Sequence, residues 1–316
     1  MRITRGIPAG AGSPVALTIG NFDGVHLGHR AMLDELARAA HRLNVPACVM
    51  TFEPHPREFF APDRAPARLT SLRENLELLA ESGVDRAHVC RFDYKLAQIT
   101  AQDFIVRVLV GGLGTRWLQV GDDFRFGARR AGDFVMLKEA APKLGFEVQA
   151  LPSVMVDGVR VSSTAVREAL AAGRLEHAAR LLGRPYSISG RVVHGDGLGR
   201  KLGFPTANVQ MKHNLPPVQG IFAVEVEGVA EKPLRGAASL GVRPTVTERG
   251  RAVLEVYLID FEGDLYGKHL RVDFLHKLRD EEKYVDLDTL KRQIAVDVEN
   301  TKAYFSTAEA QKRAAR

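Results

Sequence analysis

Val15-Ala-Leu-Thr-Ile19, then Gly20-Asn21-Phe22-Asp23-Gly24-Val25-His26-Leu27-Gly28-His29-Arg30, then Ala31-Met-Leu-Asp-Glu-Leu36 is the stretch that decides the fold of the first half. The five apolar-rich residues read as a buried strand. Met32, Leu33, Leu36, Ala37, Ala40 and Leu43 then recur at helical spacing. Between strand and helix lies a turn with glycine at 20, 24 and 28, where a backbone can take positive φ or approach a ligand closely. The alternation continues. Ala47–Phe52, Ala87–Phe92, Trp117–Val120 and Phe146–Leu151 are strand-like. Helical patterns intervene, opened by Ser71-x-x-Glu74 and by Thr100-x-x-Asp103, with a further helix around Val135–Leu144. This order predicts a parallel sheet flanked by helices, with ligands at the carboxyl ends of its strands.

After a helical stretch, Arg167–Leu182, the texture changes. Ser187–Val193, Ile221–Val226, Leu254–Ile259 and Leu270–Phe274 alternate with period two, separated by Gly, Pro and Asp clusters. That pattern predicts an antiparallel sheet closed into a barrel or sandwich. Leu287, Leu290, Ile294, Val298 and Phe305 give a C-terminal helix stripe. The expected division is 1–183 and 184–316, at Gly183-Arg184-Pro185.

Two domains suit 316 residues. With 45% hydrophobic and 26% charged residues, the chain is neither disordered, fibrous nor a disulfide-stapled miniprotein. Its apolar runs stop short of the ~20 residues of a membrane helix, and residues 1–10 lack a signal-peptide core. Cys48 and Cys90 sit in apolar runs; buried reduced thiols in the cytoplasm are expected, with a bridge between them as the alternative. The net charge of +6 divides as +3 in each half. Without a dense Lys/Arg run it suits small anionic ligands at least as well as a nucleic-acid face. The tail Lys312, Arg313, Arg316 reads as a solvated terminus.

Helix N-terminal amides attract phosphate oxygens, and His26-x-Gly-His29 adds two imidazole donors beside them. Zinc is the rival ligand. Asp23 could join the two histidines, but no second Cys/His cluster completes a site. In the second half, Gly195-Asp-Gly197-Leu-Gly199-Arg200-Lys201-Leu-Gly203-Phe204-Pro205-Thr206-Ala207-Asn208 is neither a Walker A loop nor a dinucleotide fingerprint. Its alternate glycines let amides approach phosphates, with Arg200 or Lys201 to neutralise them. Glu255 interrupts the apolar strand Leu254–Leu258. Turned inward it would be costly without a partner or task; turned outward it would be harmless. Alternation alone leaves both open.

Four segments of the first half together resemble bacterial bifunctional riboflavin kinase/FAD synthetases: the Gly20–Arg30 turn, Thr51-Phe52-Glu53-Pro54-His55-Pro56, Gly121-Asp122-Asp123-Phe124-Arg125-Phe126-Gly127, and Val161-Ser162-Ser163-Thr164-Ala165-Val166-Arg167. The Gly195–Asn208 run is similar to the flavokinase signature, and Ser239-Leu-Gly-Val-Arg243-Pro-Thr245 and Lys277-Leu-Arg-Asp-Glu281 match further segments. The resemblance implies a Rossmann-like nucleotidyltransferase domain followed by a small antiparallel β-barrel kinase domain with a terminal helix. It implies ATP-dependent phosphorylation of riboflavin to FMN and adenylylation of FMN to FAD, each with Mg²⁺.

On that resemblance, His26, His29 and Arg167 are catalytic in adenylyl transfer. Gly20, Asn21, Phe22, Asp23 and Gly24 bind nucleotide, and Ser162, Ser163 and Thr164 take the pyrophosphate side while also capping a helix. Phe52, Pro54, His55, Pro56, Asp123, Phe124 and Phe126 shape the flavin site. In the kinase half, Gly195, Gly197, Gly199 and Lys201 bind nucleotide, Thr206 and Asn208 hold Mg²⁺, and Glu255 is the base for the attacking alcohol. The roles of Asp123 and Arg243 stay open, because relatives vary there, and Lys277–Lys283 reads otherwise as the solvated start of a helix. Expected partners are riboflavin, FMN and ATP, with neither nucleic acid nor membrane, in a monomer or weak homo-oligomer. Transfer to another phosphate ester, or a non-catalytic flavin or nucleic-acid regulator, is the alternative.

Overall fold

The computed structural model describes residues 1–8, 10, 12–212, 215–243 and 251–314. Pro244, Thr245 and Arg316 lie outside the described residues, as do the side chains of Arg243, Lys312 and Arg313. The chain forms two compact units. The first holds Met1–Pro66 and Leu72–Ser163; the second holds Ala67–Ser71 and Thr164–Arg316.

In the first unit, β1 (Arg2–Arg5), β2 (Val15–Ile19), β3 (Ala47–Glu53), β4 (Arg86–Arg91), β5 (Thr115–Gly121) and β6 (Glu147–Leu151) form one sheet in the order β1-β4-β3-β2-β5-β6. Every pair is parallel. From β2 the chain winds one way to β3 and β4, and the other way to β5 and β6. That reversal opens a crevice at the carboxyl end of β2, where sheets of this kind bind ligands. Gly20 is the first residue beyond it.

Alternate residues of each strand face opposite layers. Leu17, Met50, Cys90, Leu118 and Val120 pack with Ile105, Leu109 and Leu137 on one side. Ala16, Val49, Ala87 and Trp117 pack on the other against α1 (Leu27–Leu43) and α3 (Leu72–Glu81), which bring Leu33, Leu36 and Leu79. Each fully buried leucine contributes roughly 1.5–3 kcal/mol. The α1 stripe uses Ala39, where the expected Ala37 faces solvent. Short α2 (Pro56–Phe60), α4 (Tyr94–Ala97) and α5 (Ala101–Asp103) follow strands. Thr100 caps α5 as expected, its hydroxyl accepting the Asp103 N–H at 3.0 Å. Phe104–Gly112 then winds as a wider π-helix before β5, and α6 (Phe134–Leu144) precedes β6. A small hairpin, β7 (Met155–Val156) and β8 (Val159–Arg160), closes the unit.

The second unit is a barrel, which resolves the barrel-or-sandwich alternative. Its strands are β9 (Tyr186–Val193), β10 (Thr206–Gln210), β11 (Gly220–Glu227), β12 (Leu234–Arg243), β13 (Arg251–Leu258) and β14 (His269–Arg279). They close in the order β10-β13-β12-β11-β14-β9, with antiparallel pairs throughout. Ile188, Val224, Val256, Val272 and Phe274 are buried inside. The stretch expected as one helix is two, α7 (Ser163–Ala171) and α8 (Leu175–Leu182), interrupted at Gly173 with φ +69°. From Thr164 onward both belong to the second unit, twenty residues ahead of the division expected from sequence. Helix α8 buries Leu175, Ala178, Leu181 and Leu182 and packs on β9 and β14. Helix α9 (Leu198–Leu202) lies within the Gly-rich run, and α10 (Leu287–Ala314) ends the chain.

Cys48 and Cys90 are free and buried. Burial pushes both thiols up to about 12, so neither is a thiolate at neutral pH.

Candidate active sites

The turn at the switch point is tightly tied. Phe22, buried, has φ +52°, Gly24 +85° and Val25 +37°. The Asn21 carbonyl accepts from Thr51 Oγ1 at 3.3 Å and from Asn75 Nδ2 at 3.0 Å. The Phe22 carbonyl accepts the Val25 N–H at 3.0 Å, and the Asp23 carbonyl accepts Ser163 Oγ at 2.9 Å. Ser163 thus meets the Gly20–His29 turn, as its assignment to the same site requires. Gly28 packs closely on the turn; a Cβ would stand 3.2 Å from the His26 ring, a tight contact, and 3.5 Å from the Val161 carbonyl.

His26 caps α1, its Nδ1 accepting the His29 N–H at 3.2 Å. The two rings stack at 3.7 Å, and His29 also packs against Phe22 at 4.9 Å. Burial first, and the neighbouring His26 second, hold the His29 pKa well below its ordinary value. Its ring is therefore neutral at pH 7. It can offer a hydrogen bond to a phosphate but not a charge, and its Nδ1 has no hydrogen-bond partner among the described residues.

The expected flavin residues divide. Phe124 and Phe126 stack at 5.5 Å, but Phe126 is core, packed on Phe104. Phe52 meets Phe92 edge-on at 5.9 Å. Pro54 follows a cis peptide bond, and His55 caps α2, its Nδ1 accepting the Arg57 N–H at 3.1 Å with Pro56 as the first helical residue. Asp123 is exposed and pairs with Arg160 at 3.2 Å. In the second unit, Arg167 Nε donates to the Ala67 carbonyl at 2.6 Å.

The barrel carries a cavity of about 540 Å³ on its outer surface. Because Leu254, Val256 and Leu258 fill the barrel interior, Val253, Glu255 and Tyr257 face outward into that cavity. Glu255 thus escapes both alternatives posed by its sequence: it is outside the barrel yet sheltered. Its Oε2 accepts Thr206 Oγ1 at 3.3 Å, and Asn208 is its register partner on β10.

The Gly-rich run is pressed onto these groups. A Cβ on Gly195 would collide with the Asn208 carboxamide, and one on Gly199 would stand 3.1 Å from Thr206 Oγ1. Gly197, at φ +68°, starts α9 and Gly203, at +88°, stops it. The run is therefore a glycine-bounded helical turn rather than a hairpin loop. Lys201 on it is exposed and, like Gly195 and Gly197, does not line the cavity.

Sequence reasoning missed the other wall. Lys277 and Arg279 end β14 rather than begin a helix, and Arg279, Glu281, Tyr284, Ile294 and Asp297 line the cavity. Arg279 Nε and Nη2 bind Asp297 Oδ1 and Oδ2 at 2.8 and 2.7 Å, and Gln293 Nε2 binds Oδ1 at 3.1 Å. Ser239 Oγ donates to Glu281 at 3.1 Å, and Gly241 leaves room for that carboxylate. An acid beside an apolar helix stripe was the available signal for Asp297.

Comparison with known proteins locates two matches in the chain. Residues 10–165 match the family model of FAD synthetase, and residues 182–305 that of riboflavin kinase. A bifunctional riboflavin kinase/FMN adenylyltransferase of Escherichia coli (strain K12) is 52% identical over 308 residues, covering 96% of this chain and 98% of that protein. One of Haemophilus influenzae is 46% identical over 292 residues, covering 92% and 94%. Among solved structures, a Streptococcus pneumoniae protein described as a macrolide-efflux protein matches with a TM-score of 0.81 and 29% identity, over 96% of this chain and 99% of that one. No helix among the described residues here is long and apolar enough to cross a membrane.

Proposed function

This chain belongs to the bifunctional riboflavin kinase/FMN adenylyltransferase family, and we propose how its residues divide the two reactions. Its C-terminal region phosphorylates riboflavin to FMN and its N-terminal region adenylylates FMN to FAD. We assign residues 1–183 to the second reaction and 184–316 to the first.

In the kinase step the nucleophile is a weakly acidic alcohol, so a base must take its proton as the oxygen attacks the γ-phosphorus of ATP. Glu255 fills that role. The observation that carries it is the carboxylate held by Thr206 within the barrel cavity. Thr206 and Asn208 would hold Mg²⁺. A hydroxyl, an amide oxygen and a neighbouring carboxylate suit a hard cation that keeps water and takes anionic ligands from its substrate, and glycines 195 and 199 fix those side chains. Bound there, the ion would neutralise phosphate charge. Gly195, Gly197, Gly199 and Lys201 are assigned to the nucleotide.

In adenylyl transfer the FMN phosphate attacks the α-phosphorus of ATP and pyrophosphate leaves. A phosphomonoester with a second pKa near 6 is already a nucleophile at pH 7, so no base is required. The task is to stabilise charge gathering at the α-phosphate. His26 and His29 supply hydrogen bonds there. His29 is neutral, and Arg167 is assigned to supply positive charge on the pyrophosphate side. Gly20 to Gly24 bind the nucleotide, Ser162, Ser163 and Thr164 the pyrophosphate. Phe52, Pro54, His55, Pro56, Asp123, Phe124 and Phe126 bound the flavin. Two buried free thiols support a reducing cytoplasm, and small-molecule substrates suffice without nucleic acid or a stable oligomer.

Incubation with riboflavin and Mg-ATP, followed by chromatography, tests the assignment. Glu255→Ala should leave riboflavin unconverted yet turn supplied FMN into FAD. His29→Ala should accumulate FMN. Equal damage to both steps in folded protein would refute the division.

A further inference from the structure

Three successive carbonyls of the switch-point turn, those of Asn21, Phe22 and Asp23, are each engaged by a protein donor. In a trans peptide the N–H lies opposite the C=O. Fixing these carbonyls therefore fixes where the amides of Phe22, Asp23 and Gly24 point. The turn does not rest in this shape by preference. Phe22 at φ +52° and Val25 at +37° occupy a region that side chains rarely adopt, and such backbone persists only where its surroundings over-determine it.

One donor comes from outside every sequence motif. Asn75 lies on α3, buried at 7% exposure among Leu76, Leu78 and Leu79. Its Nδ2 donates to the Asn21 carbonyl at 3.0 Å, whereas its Oδ1 has no hydrogen-bond partner among the described residues. Burying an amide with one end unsatisfied is unfavourable, so the site is not occupied by Asn for packing. Thr51 Oγ1 reaches the same carbonyl at 3.3 Å, which gives this threonine of the Thr51–Pro56 segment a task other than flavin contact.

We propose that Asn75 is a positioning residue for adenylyl transfer, with Thr51 as its partner: together they clamp the Asn21 carbonyl and hold the Gly20–His26 turn in the strained shape that presents its amides and imidazoles to the α-phosphate. The inference rests on reading that turn as the adenylylation site. Asn75 touches no reacting atom. Its effect arises because small misplacements of aligned groups cost up to about 10²-fold in rate.

The test uses Asn75→Leu, close in size but without the donor, and Thr51→Val, in the full chain. Both steps are followed by chromatography with saturating ATP. The expected result is a fall of about 10- to 10²-fold in kcat for FMN to FAD. The KM for FMN and the rate of riboflavin phosphorylation should stay close to the parent. The double variant should lose little more than the worse single one, because both bonds serve one carbonyl. FAD formation within about twofold of the parent in either variant, or a change in KM alone, would overturn the proposal. So would a loss that circular dichroism accounts for by unfolding in both variants. His29→Ala is measured alongside; if it too keeps full FAD formation, the reading of the turn fails rather than the role of Asn75.

Discussion

Replacing Asp297 by alanine strips a sheltered guanidinium of the carboxylate that holds it at two points. The Arg279 side chain is 20% exposed and that of Asp297 6%, so both ends of this bidentate pair have lost most of their water. Without Asp297, Arg279 keeps the Asp280 carbonyl at 2.9 Å and the face of the Tyr284 ring at 5.9 Å. Removing one partner of a buried pair costs about 3–5 kcal/mol, because the survivor stays desolvated and uncompensated. The partial exposure of Arg279 places the expectation near 3 kcal/mol. For a unit of this size that lowers the melting temperature by roughly 6–12 °C. Asp297→Asn retains an acceptor and should lose about half as much. Since both residues line the kinase cavity, the KM for riboflavin or ATP should rise even below the transition. Differential scanning calorimetry, with kinase assays at 20 °C, measures both effects. A shift under about 2 °C for Asp297→Ala, or equal shifts for the two variants, would refute a desolvated pair.

Glu255→Gln should lower riboflavin phosphorylation by ~10²–10⁴, the span for a general base, in a coupled ADP-release assay, with FMN adenylylation unchanged. His29→Ala should lower FAD formation by ~10²–10³, as expected for one lost transition-state donor, read as FMN accumulating from riboflavin. A histidine in the unfolded chain takes up a proton below about pH 6.5, while folded His29 refuses it until well below that. The unfolded state then binds more protons, so the first unit should lose stability as pH falls from about 6.5, and His29→Gln should flatten that loss in urea titrations at pH 5 and 7. Gly195→Ala should drive the Asn208 amide aside and raise the Mg²⁺ concentration for half-maximal kinase activity roughly 10-fold, the usual scale for disturbing groups around a metal.

Much of the architecture was legible because its signals were local. Val15–Ile19 and the spaced Met32, Leu33 and Leu36 each state their own period, and the βα order follows. β1 was not legible, since its four residues, three of them exposed, carry no apolar pattern. Nor was β12, whose Gly236, Ala237, Ala238 and Gly241 are too small to register as an apolar run; the two glycines leave room for the Tyr257 carbonyl and the Glu281 carboxylate. The expected motif residues are legible as chemistry, but their electrostatics are not. That His29 is neutral depends on how deeply the folded turn buries it, stacked on His26 and packed against Phe22. The orientation of Glu255 depends on which face of β13 the barrel encloses, and the cavity wall from Arg279 to Asp297 depends on α10 folding back across β12.

The division of the chain at Ser163 and Thr164 bears on how the two activities can be inherited. A cut after Gly183 follows the chemistry but leaves β9 and β14 without α8, baring the surface that Leu175, Leu181 and Leu182 cover. A cut after Ser163 keeps α8 with the strands it covers. Gene fission at Gly183 would therefore have to be accompanied by compensating substitutions on the faces of β9 and β14 that α8 covers.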